Sequence, residues 1–247
     1  MSFEVITYAT HSERMFPQLM ESGYPIKVLG WGVKWENFMT KIKGVLEYVK
    51  TKNPDDIIVC VDAFDTKINR DPREAEQLFK DMNCGFLVSE DCLQGYLTKM
   101  KFGACQNDIT ANMGLWMGYV KDIITIFEDM LKPKCVADDQ VMFNLLCGKY
   151  GDIIKIDREK KIFYNSLDTN YISSESIFTG YPGSLDPYAS IIRILKENLR
   201  FFIVPFTLLC MVLYNLFPQT KLYLLILYLV ILTFYIFKAE KICINIT

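Results

Sequence analysis

The sequence of 247 residues holds a single histidine, His11. One imidazole with no partner is a poor start for a zinc centre, and none of the eight cysteines falls into a Cys-x-x-Cys pair. The missing pair also excludes a thioredoxin-like redox site. Surplus positive charge is lacking too: 27 Lys and Arg stand against 29 Asp and Glu, which provides no basic face for nucleic acid. No secretory leader is expected, because Met1-Ser2-Phe3-Glu4 runs straight into a strand-like segment. The cysteines are scattered, with Cys60 and Cys210 inside apolar runs. That pattern fits free thiols in a reducing compartment better than a disulfide framework. No internal repeat is visible.

What is present is organised around Ile57-Ile58-Val59-Cys60-Val61-Asp62-Ala63-Phe64-Asp65. Five apolar, mostly β-branched residues predict a strand buried on both faces. The run stops at two carboxylates three positions apart. Ligands of open α/β sheets bind outside the carboxyl ends of the strands, so Asp62 and Asp65 stand where a ligand is expected. Paired carboxylates repel unless a cation or proton is shared between them, and oxygen donors of this kind suit Mg²⁺ or Mn²⁺ with a substrate's phosphates. The plainer alternative is a solvated turn, where Asp is common.

Further strands are predicted at residues 3–9, 26–29, 85–88, 153–156 and 161–164, and helices at 12–22, 39–50, 71 onward, 122–131 and 141–149. In the second helix Met39, Ile42, Val45, Leu46 and Val49 recur at helical spacing. Residues 168–187, rich in Ser, Gly, Tyr and Pro, read as loop. Alternating strands and helices predict an α/β fold with a mostly parallel sheet.

The apolar content of 51% is concentrated near the end of the chain. Residues 201–217 and 222–237 carry no charge and are separated by Pro218-Gln219-Thr220-Lys221. A helical membrane hairpin of two spans is therefore expected. Arg193, Lys196 and Arg200 before it and Lys238 and Lys241 after it place both ends, and the main domain, on the cytosolic side. The expected organisation is a domain at 1–187, a juxtamembrane linker at 188–200, the hairpin at 201–237 and a short tail at 238–247.

The order of motifs then points to a family. Val5-Ile6-Thr7-Tyr8-Ala9-Thr10, Lys27-Val28-Leu29-Gly30, Asp62-Ala63-Phe64-Asp65, Asn112-Met113-Gly114 and Asp138-Asp139-Gln140 together resemble the glycosyltransferase domain of procollagen lysyl hydroxylases and related proteins of large viruses. The resemblance covers roughly residues 3–185. It implies a GT-A-like, Rossmann-type sheet flanked by helices, a UDP-sugar donor, Mn²⁺ (or Mg²⁺) as cofactor, and a hydroxyl acceptor such as a hydroxylysine-linked or other glycan, with retention at the anomeric carbon. By the same resemblance Asp62 and Asp65 are the metal ligands, and Phe64 lies against the uracil. Thr7 lines the nucleotide pocket, Lys41 pairs with the diphosphate, and Glu90 is a pocket carboxylate. Asn112 and Gly114 form an acceptor-side loop, and Asp138, Asp139 and Gln140 face the transferred sugar, with the two aspartates catalytic.

The sequence departs from the family at the third metal ligand, a histidine in a His-Gly-Asn-Gly loop. The nearest counterpart is Phe178-Thr179-Gly180-Tyr181-Pro182-Gly183. This departure motivates an alternative: a membrane protein that binds a nucleotide sugar without turnover. A phosphatase of the haloacid dehalogenase type needs Asp-x-Asp-x-Thr, whereas the spacing here is Asp-x-x-Asp-Thr. Asp138 and Asp139 also have a plainer role at the start of a helix, where carboxylates cap and meet the helix dipole.

Overall fold

A computed structural model describes residues 2–133, 138–182, 207–212, 214 and 225–230. The chain divides into two compact units, Met1–Ser184 and Leu185–Thr247. In the first, the elements in order are β1 (Phe3–Tyr8), α1 (Phe16–Met20), β2 (Ile26–Leu29), α2 (Phe38–Val49), β3 (Ile57–Asp62), β4 (Thr66–Ile68), α3 (Glu74–Asp81), β5 (Phe86–Glu90), α4 (Tyr96–Phe102), β6 (Ala111–Tyr119), α5 (Val120–Met130), α6 (Asp139–Leu146), β7 (Ile154–Asp157), β8 (Phe163–Asn165) and β9 (Phe178–Gly180).

Six strands form one sheet in the order β2-β1-β3-β6-β5-β7. β1 pairs in parallel with both β2 and β3, and β5 with β7, whereas β6 runs antiparallel to β3 and β5. This gives the mostly parallel α/β sheet that the alternation predicts. It also has a consequence for the site. A reversed β6 brings its first residues to the edge where the parallel strands end.

β3 is buried along its apolar length, and its side chains alternate between two cores. Ile58 and Cys60 join Ile42, Val45 and Val49 of α2, Ile123, Ile126 and Phe127 of α5, and Phe143 of α6. Ile57, Val59 and Val61 face Leu19 of α1, Ala75 and Phe79 of α3, and Phe163 and Phe178 of a second sheet, β4-β9-β8. α2 starts where Asn37 accepts from Met39 N at 2.9 Å and Thr40 Oγ1 accepts from Asn37 N at 3.4 Å, a reciprocal cap.

Several expectations need correction. The first helix is five residues long, and Ser12 does not cap it. Residues 168–187 are not all loop, because β9 lies within them. Cys105 and Cys147 form a disulfide with their Cα atoms 5.2 Å apart, so the cysteines are not all free thiols. The Asn112–Gly114 segment belongs to a strand rather than a loop.

The membrane hairpin is not supported. Among the described residues no helix is long and apolar enough to cross a membrane. Most of the expected hairpin, 201–206, 213, 215–224 and 231–237, lies outside the described residues. The expectation rested on uncharged composition, which does not by itself make a continuous spanning helix. The two-span topology, the membrane attachment and the cytosolic-facing placement built on it are withdrawn. The expected linker at 188–200 and tail at 238–247 lie outside the described residues.

Candidate active site

Sheet and helices converge on Lys41. It projects from the buried face of α2, and 6% of the residue is accessible. Its Nζ lies 3.1 Å from Asp62 Oδ1, 3.1 Å from the carbonyl of Met113 and 2.9 Å from Asp139 Oδ2. An ammonium has three N–H donors, and here three acceptors surround it. Burial alone would push the Lys41 pKa down, but Asp139 and Asp62 together outweigh it and hold it well above its usual value. The Asp62 carboxyl is pushed up by its surroundings, against the pull of Lys41. Its side chain keeps 38% of its surface open, so it stands at a mouth rather than inside the core.

Asp139, at the first turn of α6, is buried at 4%. Its Oδ1 accepts from Gln140 N at 2.9 Å. Its Oδ2 meets Lys41 as a charge contact but has no aligned hydrogen-bond donor. Asp138 precedes it as the helix cap, accepting from Val141 N at 3.0 Å. Burial, and then the charge of Asp139, raise the Asp138 pKa.

A second network adjoins the first. Asn112 Nδ2 donates to Asp91 Oδ2 at 3.2 Å, and Gln140 Nε2 donates to the same oxygen at 2.9 Å. Asn112 Oδ1 accepts from Gly114 N at 2.8 Å. Glycine at 114 leaves room for two polar side-chain ends. A Cβ there would sit 2.7 Å from Asp62 Oδ2 and 2.8 Å from Asn112 Oδ1. The missing side chain leaves a cradle beside the Asp62 oxygen that Lys41 does not use.

Lys41, Asp62, Asn112, Gly114, Asp139 and Gln140 are thus brought together. The other expected residues make no described side-chain hydrogen bond to this cluster. Thr7 is fully buried and donates to the Val61 carbonyl at 2.7 Å, so its hydroxyl is spent within the sheet. Phe64 packs its ring 5.4 Å from His11 and 6.5 Å from Phe16. Trp31, 59% exposed, stacks on Phe16 from the other side. Glu90 ends β5 and offers its carbonyl to Asn165 Nδ2 at 2.8 Å. Asp65 lies in the turn between β3 and β4, its carbonyl accepting from Tyr181 N at 2.7 Å. A cavity of about 560 Å³ opens next to Tyr8, the cross-strand neighbour of Asp62, and is lined by Gly30, Asn37, Thr40, Lys43 and Glu47. That volume is within the roughly 300–1,000 Å³ typical of small-molecule sites.

Asp91 was not foreseen. The signal open to a reader was an acidic pair, Glu90-Asp91, at a strand end, and only the first of the two was chosen.

Among the described residues no group of three or more His, Cys, Asp or Glu could hold a metal. Where the resemblance places a third ligand, Thr179 is buried and accepts from Asn69 Nδ2 at 2.7 Å, and Tyr181 is buried with its hydroxyl donating to the Tyr171 carbonyl at 2.7 Å. The donor set still suits a hard cation. Mg²⁺ and Mn²⁺ commonly take one or two carboxylates and complete their shell with phosphates and water. Asp62 has one oxygen turned away from Lys41 toward the Gly114 cradle.

No protein-family model matches the sequence, and no curated protein matches it. The procollagen lysyl hydroxylase affiliation therefore stays a resemblance of motifs. Among solved structures, the chain is similar to "a glycosyltransferase involved in the glycosylation of the major capsid of PBCV-1". The TM-score is 0.50 at 9% identity, over 80% of this chain and 99% of that one. The fold is glycosyltransferase-like. At this identity the likeness bears on architecture, and the chemistry has to be argued from the residues at the strand ends.

Proposed function

We propose that this chain is a glycosyltransferase that moves a hexose from a UDP-sugar to a hydroxyl acceptor. The observation that carries the reading is the Lys41 ammonium held between Asp62 and Asp139 beside the Gly114 cradle. The glycosyltransferase-like fold and the order of the five motifs support it.

Asp62 and Asp65 would hold Mn²⁺ or Mg²⁺. Such an ion would neutralise the charge that develops on a departing diphosphate. The chain's own residues then have distinct tasks. Lys41 donates to Asp62 and the Met113 carbonyl and pairs by charge with Asp139, so it acts on the two carboxylates rather than reaching for the diphosphate. One positive charge between two negative ones lowers the repulsion that an anionic donor meets at the mouth. Asp139 offers a buried carboxylate with one oxygen short of donors, suited to stabilising an oxocarbenium-like sugar. Asp138 is tied by one oxygen to its helix cap. Asn112 and Gln140 provide amides for sugar hydroxyls, and the half-buried Phe64 offers a ring to a base.

The test is UDP release by the purified chain from a panel of UDP-sugars, with and without Mn²⁺. Release is expected with at least one donor, abolished by chelation and by Asp65→Ala. The nucleotide-sugar-binding alternative rests on the buried Thr179 and Tyr181 at the third-ligand position. It prevails if Mn²⁺-dependent UDP-sugar binding appears by calorimetry while no acceptor, water included, yields UDP.

A further inference from the structure

We infer that Asp91 is a positioning residue that fixes the orientation of both site amides, and through Asn112 the carbonyl oxygen that receives the Gly114 backbone N–H beside Asp62. This rests on the glycosyl-transfer reading above. Asp91 follows β5 and is 8% accessible. Its Oδ1 accepts from Leu93 N at 2.9 Å and from the Cys92 thiol at 3.8 Å. Its Oδ2 takes one N–H from Asn112 and one from Gln140. Its backbone is pinned as well: Asp91 N donates to the Thr110 carbonyl at 2.9 Å, and Gln94 Nε2 donates to both the Asp91 and Thr110 carbonyls at 2.9 Å.

An amide side chain has a donor end and an acceptor end of nearly the same shape, so its direction is set by its partners. A carboxylate that only accepts compels both amides to turn their NH₂ groups toward it. Asn112 then presents Oδ1 to Gly114 N, next to Asp62. Gln140 points its Oε1 at Asn112 Nδ2, 3.4 Å away, while its backbone N–H serves Asp139. The contacts Gly114–Asn112–Asp91 run in one direction, each residue donating to the next, because Asp91 at the end of the run cannot donate; Gln140 donates to Asp91 from its side chain.

The decisive comparison is between Asp91→Asn and Asp91→Glu in the full chain, using UDP release as the assay. Asn keeps the size but can donate, so both amides lose their fixed sense. Glu changes the length but again only accepts. The expected result is a kcat fall on the order of 10–100-fold for Asn, with KM for the donor within about threefold of the original. Glu should retain a higher kcat than Asn, and the unfolding midpoints of the two variants should be alike. A space-filling role predicts the reverse order, and Asn equal to or better than Glu overturns the inference. Failure of both variants to fold assigns Asp91 to the fold alone and also overturns it. An original chain with no turnover at all sinks the glycosyl-transfer reading and this inference with it, whereas turnover with Asn unimpaired sinks only the inference.

Discussion

At the scale of single residues, Lys41 is the one whose surroundings a sequence could least announce. A lysine on an amphipathic helix normally faces water, yet this one is the countercharge for two carboxylates. Removing it leaves Asp62 and Asp139 facing each other with no cation between them. Breaking a fully buried pair costs about 3–5 kcal/mol. Because 38% of the Asp62 side chain is open to solvent, screening reduces this to about 2–3 kcal/mol for Lys41→Met at pH 7. The sign with pH follows from which form each group prefers. Lys41 is raised above its unfolded value of 10.5, so its stabilising contribution is complete below that pH and is lost as pH rises beyond it. In Lys41→Met that alkaline loss disappears. At the acid end the stranded Asp62 carboxyl, already pushed up in the native chain, gains by taking up a proton, so the deficit should shrink as pH falls from 7 toward 4. Urea melts of both proteins across this range check the prediction, and a deficit that is constant with pH would contradict it. Asp62 was singled out by its place at the end of an apolar strand, whereas Asn112, Gly114 and Asp139 were singled out only by the resemblance of motifs. Asp91 was not, for a definite reason. The pairing of β5 with β6 shifts between Val88 and Ser89, with the extra residues on β6, and Asp91 lies one residue beyond the end of β5. Counting by two along β5 therefore stops short of Asp91.

At the scale of elements, α6 shows how a helix is held in place to present its first turn. Asn144, 2% accessible, lies on its inner face. Its amide accepts from Ala111 N at 2.9 Å and donates to the Ala111 carbonyl at 3.0 Å, much as a neighbouring strand would. It also donates to the Gln140 carbonyl at 2.9 Å. One side chain thus ties α6 to the start of β6, the two elements that carry Asp139 and Asn112. Asn144→Leu keeps the size but leaves both Ala111 groups unpaired in the core. At about 1–3 kcal/mol for each buried orphan, a loss of about 3 kcal/mol is expected. Turnover should fall further than the folded fraction does, because Asp139 is no longer held against Lys41. Denaturant melts and UDP release on the same samples check it, and a stable variant with full turnover would refute the tie. α2, α3, α5, α6 and most strands of this layer were anticipated from hydrophobic period and turn residues, whereas α4 and β6 were not. Of the second sheet only β8 was anticipated, by the strand expected at 161–164. β4 and β9 are three residues each, too short to display a period of two, and the sheet is specified by Ile162, Phe163 and Phe178 packing beneath β3. The reversal of β6 was equally hidden, since a buried strand reads the same in either direction.

At the scale of the whole molecule, the sheet and the layers on both its faces are contained in Met1–Ser184. So is every residue assigned to the site, from Thr7 to Gln140 and out to Tyr181. Uncharged runs at 201–217 and 222–237 drew the reading toward a membrane, because composition reports apolar content without reporting whether one helix continues through it. The described residues contain no helix able to span. What the first unit needs from the rest of the chain can be argued from burial. β3 is covered on one face by α2, α5 and α6, and on the other by α1, α3 and the β4-β9-β8 sheet. A domain of this size buries roughly 70% of the surface its unfolded chain exposes, enough for independent stability. A fragment ending at Ser184 is therefore expected to fold, to melt in urea in one cooperative transition, and to release UDP from the same donor as the full chain with kcat within about twofold. Saturating UDP with Mn²⁺, at 100 times its Kd, should stabilise that fragment by about 2.7 kcal/mol. Stabilisation of the full chain but not of the fragment would show that the nucleotide site draws on residues beyond 184, and the assignment of the whole site to the first unit would fall.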